Sequence, residues 1–269
     1  MERQDNMPEK SSGRSLEDIL TNGYQLDAMA AVSRGFNILG KDIGSYIGFC
    51  LLSFIISIVI GMAPFVGTIA SLIIGPALHA GYANYLKAYL HHDSSEFSNF
   101  FNGFKSPQLL QLALSNFISQ IIAGVVAVVI IVAFCGNIVL ELMANMEALQ
   151  DPTDSEAQKA ALAFFMTSQF LLGFVVAFFA AISVSLLWIL TSQFIVFRQM
   201  AFWDAMEASR KIVMKKFFSF LGWIFVWIII LGISALPCGL GLLFTYPAFM
   251  LSLYALYMQI TEDEAVLNH

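Results

Sequence analysis

The chain has 269 residues, 58% of them hydrophobic and only 12% charged, about half the charged share of a soluble domain. No Asp, Glu, Lys or Arg occurs in residues 43–86, 106–140, 160–197 or 217–261, and about 20 apolar residues make one membrane-spanning helix. That pattern excludes a soluble globular chain, and a formal net charge of -6 gives no support for nucleic-acid binding.

The N-terminal residues MERQDNMPEKSSGRSLEDIL are polar and lack an apolar core. They predict a flexible tail over residues 1–23 rather than a cleaved signal peptide, followed by a membrane domain over residues 24–269. The amphipathic stretch LDAMAAVSRGF comes next. The first apolar block breaks at GMAPFVG and the last at ALPCGLG, where proline with glycine marks a tight turn between helices. The fold class expected is all-α, polytopic, with spans at about 43–63, 66–88, 109–136, 161–190, 217–236 and 240–260. Uninterrupted apolar runs do not alternate as membrane-barrel strands do.

Six spans put both termini on one side. Every basic residue except Lys159 then falls on that side, and Lys159 lies among Glu141, Glu147, Asp151, Asp154 and Glu156. The positive-inside rule makes that side cytoplasmic. The expectation is a multi-pass protein of the bacterial plasma (inner) membrane with both termini in the cytoplasm.

Within the second span His79 follows Pro76. It is the one side chain ionisable near neutral pH inside a predicted span, and so a functional candidate, with a bond to a neighbouring helix as the structural alternative. The next loop holds HHDSSE (His91, His92, Asp93, Glu96); adjacent histidines in a solvated loop rarely converge on a metal, and no metal site is expected. SSEFSNFFNGFKS places Phe97, Phe100, Phe101 and Phe104 in one short segment, expected to insert at headgroup depth. In the third span Ser115, Asn116, Ser119 and Gln120 recur at helical spacing. With Thr167, Ser168, Gln169 and with Thr191, Ser192, Gln193 of the fourth, they could line a cavity or bond between helices. Cys50, Cys135 and Cys238 are too few for a disulfide framework; a Cys135–Cys238 bridge is left open.

The stretch FWDAMEASRKIVMKKF carries the densest basic cluster. Phe202, Trp203, Met206, Ser209, Val213 and Phe217 form one mostly apolar stripe, and Glu207, Lys211 and Lys215 another face. Asp204 and Glu207 have capping-box spacing. Such a helix is expected to lie in the membrane interface, with an attraction to anionic lipid of about 2 kcal/mol. Trp203, Arg210, Lys211, Lys215 and Lys216, together with Arg34 and Lys41, are the lipid-interface candidates. They either anchor the protein or read a particular anionic lipid.

DAMAAVSR and DAMEASR echo each other, and each precedes a span, a proline turn (Pro64, Pro237) and a second span with an early proline (Pro76, Pro247). This predicts a parallel internal repeat of interfacial helix plus helical hairpin, as in some transporters; the alternative is convergence of two amphipathic helices. FRQMAFWDAMEASRKIVMKKFFSFLGWIFV, GPALHAGYANYLKAYLHHD with FFNGFK, and GLGLLFTYPAFMLSLYALYMQI resemble segments of a group of bacterial six-helix membrane proteins. That group is similar to the membrane domain of some glycerophosphodiester phosphodiesterases. The resemblance implies the architecture; these residues include no phosphodiesterase catalytic domain, so it implies no hydrolysis and no catalytic residue.

No metalloprotease, nucleophile-elbow, P-loop or dinucleotide motif occurs, and no cofactor is expected. The reading is a non-enzymatic integral membrane protein, a lipid-contacting scaffold or regulator of a membrane partner. The alternative is a small-solute or lipid transporter using a cavity between the repeats, with His79, Asn116, Ser119 and Gln120 as candidate lining. The partners expected are anionic inner-leaflet lipids and a membrane protein, not nucleic acid.

Overall fold

The computed structural model describes residues 14–63, 65–92, 95–144 and 167–261. Among the described residues ten α-helices follow one another: α1 Leu16–Asn22, α2 Ala28–Lys41, α3 Ile43–Gly61, α4 Val66–His92, α5 Gln108–Ala144, α6 Ser168–Leu186, α7 Thr191–Arg198, α8 Phe202–Lys215, α9 Phe217–Ala235 and α10 Leu242–Thr261. A 3-10 segment, Phe97–Phe104, lies between α4 and α5. No strand occurs among the described residues. Six helical stretches are long and apolar enough to cross a membrane: Ile43–Gly61, Val66–Leu90, Gln108–Gly136, Ser168–Arg198, Phe217–Ala235 and Leu242–Thr261. The fold is all-α and polytopic. Residues 145–166, with Lys159 and the start of the expected fourth span, lie outside the described residues. So do 1–13, Pro64, Asp93, Ser94 and 262–269.

Backbone contacts divide the chain into two compact units, Met1–Phe117 with Leu187–His269, and Ile118–Leu186. In the second, Gly173 of α6 lets α5 approach so closely that a Cβ there would sit 2.8 Å from Phe134 Cβ. The Cys135 thiol lies 3.9 Å from the Gln169 carbonyl. Small residues at such a contact are how apolar helices associate when the surrounding lipid is equally apolar.

The first unit carries the repeated order. α2 and α8 are each 14 residues long, α3 and α9 each 19. A single non-helical residue, Asp42 or Lys216, joins each pair. Each hairpin turns through left-handed backbone, at Phe65 in one and at Cys238 and Gly239 in the other. Gly67 and Gly241 then pass against the Ile60 and Ser234 carbonyls, at 2.0 and 2.6 Å from a notional Cβ. The second arms carry Pro76 and Pro247 inside the helix.

The repeat changes where the amphipathic helices dock. α2 packs along α10, the most extensive helix pair in the molecule. A Cβ at Gly35 would lie 2.5 Å from the Ala248 carbonyl and 2.8 Å from Ser252 Cβ. On α4 the corresponding seat, just after Pro76, is taken by the 3-10 segment: Gly103 meets the Ala77 carbonyl and Gly81 the Phe100 carbonyl. α8 instead packs on α7 and α1. The matching residues DAMAAVSR and DAMEASR also play different parts. Asp27 caps α2 by accepting from Ala30 N at 2.9 Å, whereas Asp204 lies inside the first turn of α8.

Two expectations are corrected. Phe100 is fully buried, stacked between Phe49 at 4.2 Å and Tyr85 at 4.0 Å. The phenylalanine-rich segment therefore plugs the core through Phe100, and of its four phenylalanines only Phe97 is exposed. Within the expected tail, residues 16–22 form α1, capped by Ser15, which accepts from Asp18 N at 3.1 Å. Arg14 ties it down: its N–H donates to the Thr261 carbonyl at 2.8 Å, and its own carbonyl accepts from Arg198 at 2.6 Å.

Gly35→Ala should lower the melting temperature of the detergent-solubilised protein, with overpacking costing about 1–3 kcal/mol. Gly40→Ala, in the same helix with nothing within 4 Å of the added methyl, should gain up to about 1 kcal/mol of helix propensity. Equal melting shifts for the two variants would contradict the seam at Gly35.

Candidate functional site

The basic helix α8 does not turn its apolar stripe to lipid. Ala205, Met206, Ala208, Ser209, Ile212 and Val213 are all buried in the packing with α7 and α1. Ser209 is structural: its hydroxyl donates to the Leu187 carbonyl at 2.8 Å and accepts from the Leu190 amide at 3.2 Å. Those residues are the break between α6 and α7 in the fourth span, so one hydroxyl satisfies backbone groups the break sets free. What faces outward is Trp203, 60% exposed, with Met214 and Phe218.

The expected capping box is also absent. Ala201 is the N-cap, without a side-chain bond, and the Phe202 N–H donates to Gln111 Oε1 of α5 at 2.7 Å. Glu207 is taken instead by Arg210, in two hydrogen bonds of 2.9 and 2.7 Å, and by Lys211 at 3.3 Å. The Arg210 guanidinium above all holds the Glu207 carboxyl at about 2, against the opposing effect of burial and with a further contribution from Lys211. Lys215 donates to the Leu20 carbonyl, and the Lys216 ammonium sits 5.3 Å from the Tyr24 ring centre. These two lysines clamp the segment around α1 onto α8. Arg34 and Lys41 of α2 are exposed.

The polar candidates of the spans do not converge. Asn116 donates to the Leu72 carbonyl at 3.3 Å, and Ser115 to Leu112 at 3.0 Å, the interhelical and local bonding that stands opposite a cavity role. Ser119 and Gln120 belong to the Ile118–Leu186 unit. Of the four, His79 lines the cavity described next.

That cavity lies between the two hairpins. It has a volume of about 480 Å³ and is walled by Leu51, Phe54, Gly75 and Leu78 of the first hairpin and by Leu240, Leu243 and Tyr246 of the second. The polar groups that reach it are few: Ser53, Ser57, His79, Tyr82 and Tyr246. The His79 and Tyr82 rings meet Tyr246 edge-on, with centroids at 6.2 and 6.1 Å. Tyr82 is 1% exposed, yet its hydroxyl and the Ser53 hydroxyl have no hydrogen-bond partner. The Cys50 thiol is the polar group beside Tyr82, and a thiol is a weak partner. Sequence reasoning missed Ser53 and Tyr82, because each reads as an ordinary residue of an apolar span. The closest signal was the alignment of the two hairpins, which places their inner faces together.

No family model, curated protein or solved structure matches the chain. Among the described residues no group of His, Cys, Asp and Glu could hold a metal ion. The side chains of His91 and His92 and all of Asp93 lie outside those described. Cys50, Cys135 and Cys238 are free thiols.

Glu207 contributes stability that is present above its ordinary value of 4.5 and lost as pH falls toward about 2. The melting-temperature difference between the wild-type protein and Glu207→Gln should be constant above pH 4.5 and shrink below it. In delipidated protein, Tyr82→Phe should raise the melting temperature, since it removes an unpaired buried hydroxyl that costs about 1–3 kcal/mol. A lower melting temperature would mean that the hydroxyl is already paired.

Proposed function

We propose that the chain is a non-enzymatic integral membrane protein that holds a lipid or lipid-like molecule in the cleft between its hairpins. In this reading it acts as a lipid-contacting scaffold or regulator of a membrane partner. The observation that carries it is the cleft itself, with apolar walls and a few polar groups, the composition of sites for apolar ligands carrying one polar group. The unpaired hydroxyls of Tyr82 and Ser53 call for such a group, because an unpaired donor inside a bilayer costs several kcal/mol.

A lipid transporter is the second reading, favoured by the placement of the cleft between two halves of a repeat. The apolar walls weigh against a small hydrophilic solute. The segregation of basic residues supports cytoplasmic termini in a bacterial inner membrane.

Gly75 lines the cleft and has nothing within 4 Å of a notional Cβ, so Gly75→Phe fills the space without a backbone clash. Native mass spectrometry from mild detergent should find a bound lipid on the wild-type protein and its loss from this variant. Equal retention by both would overturn the reading.

A further inference from the structure

A second pocket opens on the other face of α4. Gly75, Leu78, His79 and Tyr82 line the hairpin cleft, whereas Asn84, Lys87 and Ala88 project half a helical turn away. There they face the 3-10 segment, the start of α5 and the end of α7, around a volume of about 730 Å³. The walls meet where the second span ends, the third begins and the fourth ends. Alternation of spans puts all three ends at one membrane surface, the one that gathers the basic residues.

The chemistry of the walls has one sign. Lys87 and Lys105 contribute ammonium groups, and Asn84, Asn99, Asn102, Gln108, Gln111 and Gln199 contribute amides. None of the described residues lining the pocket is acidic. Lys87 donates to the Val196 carbonyl at 3.0 Å. Gln108 Nε2 donates to Asn84 Oδ1 at 3.2 Å. The other end, Asn84 Nδ2, has no hydrogen-bond partner although Asn84 is only 7% exposed. A buried unpaired donor on the wall of a cation-bearing pocket is an anion contact waiting to be made.

We propose that this pocket binds a phosphate group, carried either by a phospholipid headgroup or by a small soluble phosphate compound. Asn84 Nδ2 and Lys105 donate to the phosphate oxygens. The site stands apart from the hairpin cleft, and neither depends on the other being occupied.

The full-length protein tests this in two arms, with wild-type, Asn84→Asp and Lys105→Gln compared throughout. In one, phosphatidylglycerol retention over phosphatidylcholine is read by native mass spectrometry from nanodiscs. In the other, stabilisation by inorganic phosphate over chloride at matched ionic strength is read as a melting shift in detergent. Asn84→Asp keeps the acceptor for Gln108 but turns the free donor into a repelling oxygen. Binding in either arm that falls about tenfold in the variants supports the site. Selectivity in the nanodisc arm alone makes the ligand a headgroup, and an effect of free phosphate alone makes it a soluble compound. Absence of binding in both arms overturns the proposal, as does binding that Asn84→Asp leaves unchanged. If Asn84→Asp does not fold, unchanged binding by Lys105→Gln overturns it.

Discussion

The contact between α2 and α10 at Gly35 ties the first half of the repeat to the second. A helix can approach the Ala248 carbonyl and the Ser252 side chain this closely only where it has no side chain of its own. Ala31 and Leu39 extend the same buried stripe on either side. At the entry to α2, the Gln259 amide of α10 accepts from Asp27 N at 2.9 Å and donates to Asp27 O at 3.2 Å. With α2 pinned in this way, the chain leaves Asp42 and enters α3 beside α10. Asp42 caps α3 and takes a hydrogen bond from Tyr85 of α4. Burial opposes its ionisation, but the bonds from Tyr85 and Ser45 hold the carboxyl below the ordinary range. The hairpin cleft therefore has rigid walls: one hairpin is set against the other through a helix that belongs by sequence to the first and by packing to the second.

Polar side chains inside this fold are mostly spent on its own backbone. Ser209 bridges the break between α6 and α7. Asn116 reaches the Leu72 carbonyl next to the Pro76 region, and Ser57, Ser183 and Ser234 each donate to the carbonyl one turn back. Hydrocarbon offers no water to satisfy these groups, so a serine in a span is first a structural residue. Against that background the exceptions carry information. Nine buried side-chain atoms are without a partner among the described residues, and those of Ser53, Tyr82 and Asn84 belong to residues on the walls of these two cavities.

The architecture was legible because it rests on one-dimensional signals. Charge-free runs bounded the six spans to within a few residues, except where the fourth continues through α7 to Arg198. Paired prolines exposed the repeat. What the sequence could not reveal was which face of each amphipathic helix meets protein. The stripe of Met206, Ser209 and Val213 has the period of a lipid-facing helix, and the same period serves a helix buried on its own chain. Phe100 likewise reads as an interfacial aromatic until Phe49 and Tyr85 are found on its two faces. Lys215 and Lys216 are lipid-interface candidates by sequence, and the structure adds contacts within the chain: a carbonyl at Leu20 and the ring of Tyr24 lie within their reach.

α4 is the element on which both cavities depend, and Pro76 helps to explain how one helix serves two sites. The proline removes a backbone bond and marks the level where the small residues Ala77 and Gly81 admit the 3-10 segment. That segment covers one side of the helix and brings Asn99, Asn102 and Lys105 toward Asn84 and Lys87. It leaves the side bearing His79 and Tyr82 to the second hairpin. On α10 the equivalent seat after Pro247 is filled by α2, whose outward face presents Arg34 and Lys41 to solvent or headgroups rather than to a pocket. The two halves of the repeat thus share a scaffold and differ in what covers it. That difference, a glycine-bearing amphipathic helix on one proline arm and a phenylalanine-rich plug on the other, is what places the polar pocket beside α4.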